Sequence, residues 1–505
     1  MEQLSAGLIL FVVAAYFLVL LTISYVTGRK ADNTDFFIAG RQSPWYLVAF
    51  GMIGASLSGV TFISIPGWVS ANQFSYMQTV FGYLIGYVVI ATVLMPMYYR
   101  MNLTSIYTYL EKRFGVESYK TGASFFLLSR VVQASFRLYL VAIVLQKFVM
   151  DNYGIPIWVT VFLTILLIWI YTFRGGIKTI VWTDTLQTFC MLAAVILTVV
   201  VIGNRLEYSI AELYESVRNS SYSQMFFFEE GWSDKKNFFK QILAGASIAI
   251  VMTGLDQDMM QKNLSCRNIG DAQKNMFWFS IVLVFANLLF LTLGALLYIY
   301  AEQIGIEIPT KLVDGIVKPD TDLLYPTVAL HYMGPTVGIV FILGLIAAAY
   351  SSADSALTAL TTSFCIDILG FKEEEEGEGS TTQKDQQRTR FLVHIGFSVL
   401  LFFIILIFYM INDEAVISQL FTVAGYTYGP LLGLYAFGFM LDRSINDQLV
   451  PYICVASPIF TFFINTYSEL LFFGYKFSFE LLIVNGLLTF FGLFLIPERG
   501  EVAEK

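Results

Sequence analysis

The chain has 505 residues, 57% of them hydrophobic and 13% charged, with net charge −8 and mean hydropathy +0.68. So few charges cannot cover a soluble surface, which excludes a soluble enzyme or nucleic-acid-binding module and leaves an all-α polytopic membrane protein. Much of the acid lies in KEEEEGEGS and in the segment after Val201, outside the apolar stretches, so no nucleic-acid partner is expected.

Thirteen apolar stretches mark expected transmembrane helices. They lie near 6–27, 45–72, 77–98, 121–149, 156–173, 180–203, 238–256, 275–300, 335–369, 391–411, 415–440, 448–467 and 478–497. The first has no basic n-region or small-residue cleavage site and reads as a retained span. One set of connections carries Arg29, Lys30, Arg41, Arg100, Lys112, Arg113, Arg174, Lys178, Lys262, Arg267, Lys274, Lys372, Lys384, Arg388, Arg390 and Arg443. The opposite short ones, SANQFSY, DNYGIP and INDEAV, carry none, so the N-terminus is expected outside and the C-terminus inside. Lipid is therefore an expected partner, while oligomeric state is not legible.

The second stretch, GMIGASLSGVTFISIPGW, is the least helix-like, with Gly51, Gly54, Gly59, Pro66 and Gly67 among Ser56, Ser58, Thr61 and Ser64. Glycine costs up to about 1 kcal/mol in a helix and proline about 3. At membrane depth that composition predicts a broken helix lining a polar cavity. Further on, Arg130 and Arg137 lie at i and i+7 near Gln133, fit either to pair with acids or to contact an anionic solute. Asp184 lies a little inside the sixth stretch, as an interfacial acid or a cation ligand. The segment 204–236, with MFFFEEGW, predicts a short external cap on the membrane face. TGLDQDMMQKNL (253–264) is expected to run off the seventh stretch, with Asp256 and Asp258 in inner water or paired with Lys or Arg.

In the ninth stretch, Ala348, Ser351, Ser352 and Ser355 fall on one helical face with Asp354 on its flank. Hydroxyl and carbonyl oxygens suit hard cations, so the stripe predicts an ion path. Residues 371–390 are charged and read as a disordered cytoplasmic loop. Asp413 and Glu414 read as solvated; the four cysteines and two histidines have no metal spacing. No nucleophile–His–acid set, Walker A loop or HExxH motif occurs, so an enzyme is not expected.

Four motifs, DFFIAGR (35–41), GGIKTIVWTDTLQ (175–187), TGLDQDMMQKNL and AAAYSSADSAL (347–357), stand in an order that resembles the sodium/solute symporter family. The resemblance covers nearly the whole chain as one transporter domain. It implies the LeuT-like fold, with inverted five-helix repeats over about 45–203 and 238–440, and alternating access around a midplane site. It implies a Na+ site at the carbonyls of Gly54, Leu57 and Ala348 and the hydroxyls of Ser351 and Ser352. A second cation site, found in some members, falls on Asp184, Ser351, Asp354 and Ser355. The carboxylate of Asp354 departs there from the small residue or serine of the family.

SLSGVTFISIPG (56–67) is more similar to the sialate, iodide and multivitamin branch than to the glucose branch. That similarity implies solute contacts at Ser56, Ser58 and Thr61, and Arg137 or Arg130 could then hold a carboxylate bidentately; Gln78, Gln133 and Arg137 are further candidates for the solute. The expected function is import of a small organic solute, such as sialate or a monocarboxylate, with Na+ as coupling ion, in a bacterial inner (plasma) membrane. The alternatives are a proton-coupled carrier using Asp354 and Asp184, and a family member that carries a sugar, vitamin or inorganic anion.

Overall fold

The apolar segments fall on helices of the computed structural model, 45–72 on a broken pair; the structure describes residues 6–28, 33–172, 176–229, 231–313, 316–371, 380–411 and 416–498. The long helices are α1 (Ala6–Gly28), α2 (Trp45–Ser56), α3 (Gly59–Asn72), α4 (Tyr76–Arg100), α5 (Val116–Phe148), α6 (Ile157–Thr172) and α7 (Gly176–Leu206). They continue as α8 (Phe238–Gly254), α9 (Gln257–Leu264), α10 (Ile269–Ile304), α11 (Pro335–Ile368), α12 (Ser380–Ile411), α13 (Val416–Met440), α14 (Asp447–Thr466) and α15 (Leu481–Phe494). Among the described residues, eight helices are long and apolar enough alone to cross a membrane. The bent pairs α2–α3 (53°) and α8–α9 (63°) raise this to ten, and α6 and α15 are shorter. The protein is thus an integral membrane protein.

The bent pairs open the two expected repeats. In the first, the backbone ladder stops at Leu57 N–H to Ile53 O (2.7 Å) and resumes at Phe62 N–H to Ser58 O (3.0 Å). The break is at Leu57–Ser58, not at a glycine or at Pro66, which sits inside α3. The glycines serve approach instead: a Cβ on Gly54 would overlap Thr188 Oγ1. Gly82 of α4 and Gly245 of α8 likewise let these two helices pack backbone to backbone.

Three expectations are corrected. First, 253–264 does not run into water. It turns at Leu255–Asp256 and re-enters the protein as α9, where Asp256 and Asp258 are fully buried. Second, the loop assigned to 371–390 is shorter: residues from Ser380 already belong to α12, because the helix formers of QKDQQRTR extend the apolar span by three turns. Residues 372–379 lie outside the described residues, as do Asp413 and Glu414. Third, the fold is not wholly α: the strands Thr310–Val313 and Ile316–Pro319 pair antiparallel, Thr310 opposite Pro319.

Segment 204–236 carries a short helix, Ile210–Arg218, started by a Ser209–Glu212 capping box. Its aromatic end packs on α4 and α8 through Phe226–Phe81 (6.0 Å) and Phe228–Phe238 (4.5 Å).

Candidate ion and solute site

The serine stripe and the first break face each other. Ser351, Ser352, Asp354 and Ser355 of α11 are all fully buried. A Cβ on Gly54 would come within 3.4 Å of Ser351 Oγ, which places the end of α2 against the stripe. Ser352 donates to Ala348 O (3.2 Å). Among the described residues, no side chain donates to the carbonyls of Gly54 or Leu57. At the second break the corresponding carbonyls are taken, Gly254 O by Tyr98 (2.9 Å) and Leu255 O by Tyr107 (3.0 Å). Of the two breaks, the first is the one whose Gly54 and Leu57 carbonyls no described side chain takes; at it Gly54 of α2 lies against Ser351, which adjoins Ser352 and stands one turn from Ala348 on α11.

The second set is differently arranged. Asp184 of α7 accepts from Ser351 Oγ on one carboxylate oxygen (2.7 Å) and from Lys262 Nζ of α9 on the other (2.7 Å). Asp354 has its own donors, Tyr171 OH (2.8 Å) and the Ser355 N–H (2.6 Å). The structure therefore joins Asp184 to Ser351, while Asp354, close enough to feel the charges of Asp184 and Lys262, bonds to other donors. The Asp184 carboxylate is not interfacial: its neighbours are a buried lysine and a buried serine. Unit charges about 4 Å apart interact by about 4 kcal/mol at an effective dielectric near 20, so Lys262 governs what other cation that carboxylate can hold.

A cavity of about 80 Å³ opens beside the first break, lined by Ser56, Ser58 and Thr61 together with Arg130, Arg137 and the tyrosines Tyr76, Tyr83 and Tyr87. The two arginines, equivalent by sequence, diverge. Arg130 pairs with Asp258 and lies 3.8 Å from Asp256, which in turn accepts from Tyr428 OH. Arg137 is buried, its polar contact a long one to Ala55 O (3.4 Å), and among the described residues no carboxylate lies within 4 Å of it.

Gln78 and Gln133 do not line this cavity. Gln78 clamps segment 204–236 instead, accepting from Phe227 N–H (3.0 Å) and donating to Lys236 O (2.9 Å), so backbone groups of that segment occupy its amide. Gln133 is fully buried in α5 between the two arginines. Sequence reasoning missed Lys262, Tyr171 and the three cavity tyrosines. A basic residue in a motif beside a buried-acid candidate was the available signal for Lys262.

With this geometry in place, comparison with known proteins becomes decisive. The model of the Sodium:solute symporter family matches residues 36–447. The chain belongs to this family. Among its relatives are the sodium/sialic acid symporter NanT of Aliivibrio fischeri, 26% identical over 91% of this chain and 88% of that one, and the sodium/sialic acid symporter SiaT of Proteus mirabilis, 24% identical over 86% and 84%. The human sodium/iodide cotransporter is 25% identical over 49% of this chain and 38% of its own. Among solved structures, a substrate-bound, outward-open Na+-coupled sialic acid symporter superposes with a TM-score of 0.80 at 20% identity, covering 96% of both chains. Mhp1, a nucleobase-cation-symport-1 family transporter, gives 0.58 at 13% identity, over 93% of this chain and 98% of that one. These likenesses show the LeuT-like fold. The family is one of transporters, and Na+ is its coupling ion.

Proposed function

We propose that this sodium:solute symporter imports a small organic anion by alternating access, a carboxylate of the sialate or monocarboxylate kind. Na+ binds at the carbonyls of Gly54, Leu57 and Ala348 and the hydroxyls of Ser351 and Ser352; the solute binds in the adjoining cavity at Ser56, Ser58, Thr61 and Arg137. The observation that carries the anion is Arg137. A buried guanidinium without an acid partner is unfavourable until something negative reaches it, and its fork suits a carboxylate. A neutral sugar would leave that guanidinium without a carboxylate in bonding contact. The sialate symporters among the relatives support the same class. The proposal includes thirteen membrane-crossing helices, repeats over 45–203 and 238–440, the N-terminus outside, and residence in a bacterial inner (plasma) membrane.

Sodium at the first break would order α2 against α11 and so complete the cavity wall formed by residues 55–58. Coupling requires that Na+ favour the solute-competent arrangement, since equal affinity for both states shifts nothing. The test is thermal: sialate, monocarboxylates, sugars and vitamins are screened for a rise in melting temperature with and without Na+. A carboxylate should raise it only when Na+ is present, and Arg137→Ala should erase the rise. A sugar that acts equally on wild type and Arg137→Ala would overturn the anion assignment.

A further inference from the structure

We infer that Lys262 supplies the cation of the second position: its ammonium holds Asp184 where a second Na+ would bind, so this carrier binds one Na+ per chain. The inference rests on the first site being a Na+ site. Three observations carry it. The Lys262 side chain is 2% exposed, and its Nζ lies 2.7 Å from Asp184 Oδ2 while Ser351 Oγ holds Oδ1 at 2.7 Å, so both carboxylate oxygens already have a donor. The other acid of the set, Asp354, is turned to Tyr171 and the Ser355 N–H. And the lysine is placed there by the fold: Asp256 caps α9 through the N–H groups of Asp258 (2.9 Å) and Met259 (3.3 Å), while Gln261 donates to Thr362 Oγ1 of α11 (2.9 Å). Those contacts fix Lys262 between α7 and α11.

A lysine ammonium carries the charge of Na+ and donates where Na+ would accept lone pairs, but it is tethered and is not delivered across the membrane. Ser351 belongs to both sets, so the pair Lys262–Asp184 also orients a hydroxyl of the first Na+ site. One consequence is electrical. With one Na+ and a singly charged anion, the loaded carrier gains no net charge.

Equilibrium binding of 22Na+ to the purified full-length chain, without solute, tests this. Wild type should bind one Na+ per chain. Lys262→Met should bind two, and the double variant Lys262→Met/Asp184→Asn should return to one. Asp184→Asn alone, which frees Ser351 and unpairs Lys262, should bind one Na+ more weakly than wild type; the wild-type count itself keeps the test decisive if Lys262→Met does not fold. Two Na+ in wild type falling to one in Asp184→Asn would overturn the inference, as would a count of one in well-folded Lys262→Met. A wild type that binds none would instead overturn the first site.

Discussion

Ser351 makes one hydrogen bond to Asp184, and its hydroxyl lies against Gly54 at the end of α2. Removing that oxygen, or that of Ser352, takes a ligand from the proposed Na+ site without opening a large void. Ser351→Ala and Ser352→Ala should each raise the half-saturating Na+ concentration at least tenfold, measured by 22Na+ binding; unchanged affinity in both would remove them from the site. Gly54 gives an orthogonal check. A Cβ there overlaps Thr188 Oγ1, so Gly54→Ala should destabilise by about 1–3 kcal/mol and weaken Na+ binding. Adding Thr188→Ala removes the colliding hydroxyl and should restore part of both losses in a double-mutant cycle.

At the scale of elements, the second bent pair is held more tightly than the first. Arg130 meets both Asp256 and Asp258, Tyr428 reaches Asp256, and Gln257 bonds Thr104 O (2.7 Å) and the Ile106 N–H (3.0 Å). Breaking a buried ion pair leaves an uncompensated charge, commonly a loss of about 3–5 kcal/mol. Arg130→Met should therefore cost stability of that order by denaturant unfolding in detergent, and adding Asp256→Asn and Asp258→Asn should recover much of it. No recovery would mean that the arginine acts through packing rather than charge. This element also marks where sequence reasoning stopped. The first break was legible because clustered serines and glycines at membrane depth, where lipid cannot satisfy a hydroxyl, point to a polar cavity. The second was not, because LDQDMMQK is polar enough to pass for a cytoplasmic end. The buried position of its charges depends on Arg130, about 130 residues earlier in the chain, and local pattern cannot show such a partner. The proposed inverted repeats held the missed signal: a broken first helix in one would predict one in the other. Gln78 shows the converse. It is a solute candidate by sequence, while its partners are backbone groups of a loop whose path no periodicity encodes.

For the whole molecule, thirteen segment positions could be read from hydropathy alone, because lipid leaves the backbone few alternatives to helix. Arrangement could not: that α7 packs along α11, bringing Asp184 to Ser351, follows from tertiary packing. The proposed orientation makes a direct prediction. A cysteine at exposed Lys235 should react with an impermeant maleimide on intact cells, and one at exposed Lys112 only after permeabilisation; the reverse pattern would invert the topology. The central claim, Na+-driven import of an organic anion, is tested most directly by uptake into proteoliposomes, using the carboxylate that emerges from the thermal screen. Uptake should require an inward Na+ gradient, fall at least tenfold in Arg137→Ala, and need several-fold more Na+ in Ser352→Ala. Uptake at the same rate without Na+, or undiminished in Arg137→Ala, would contradict it.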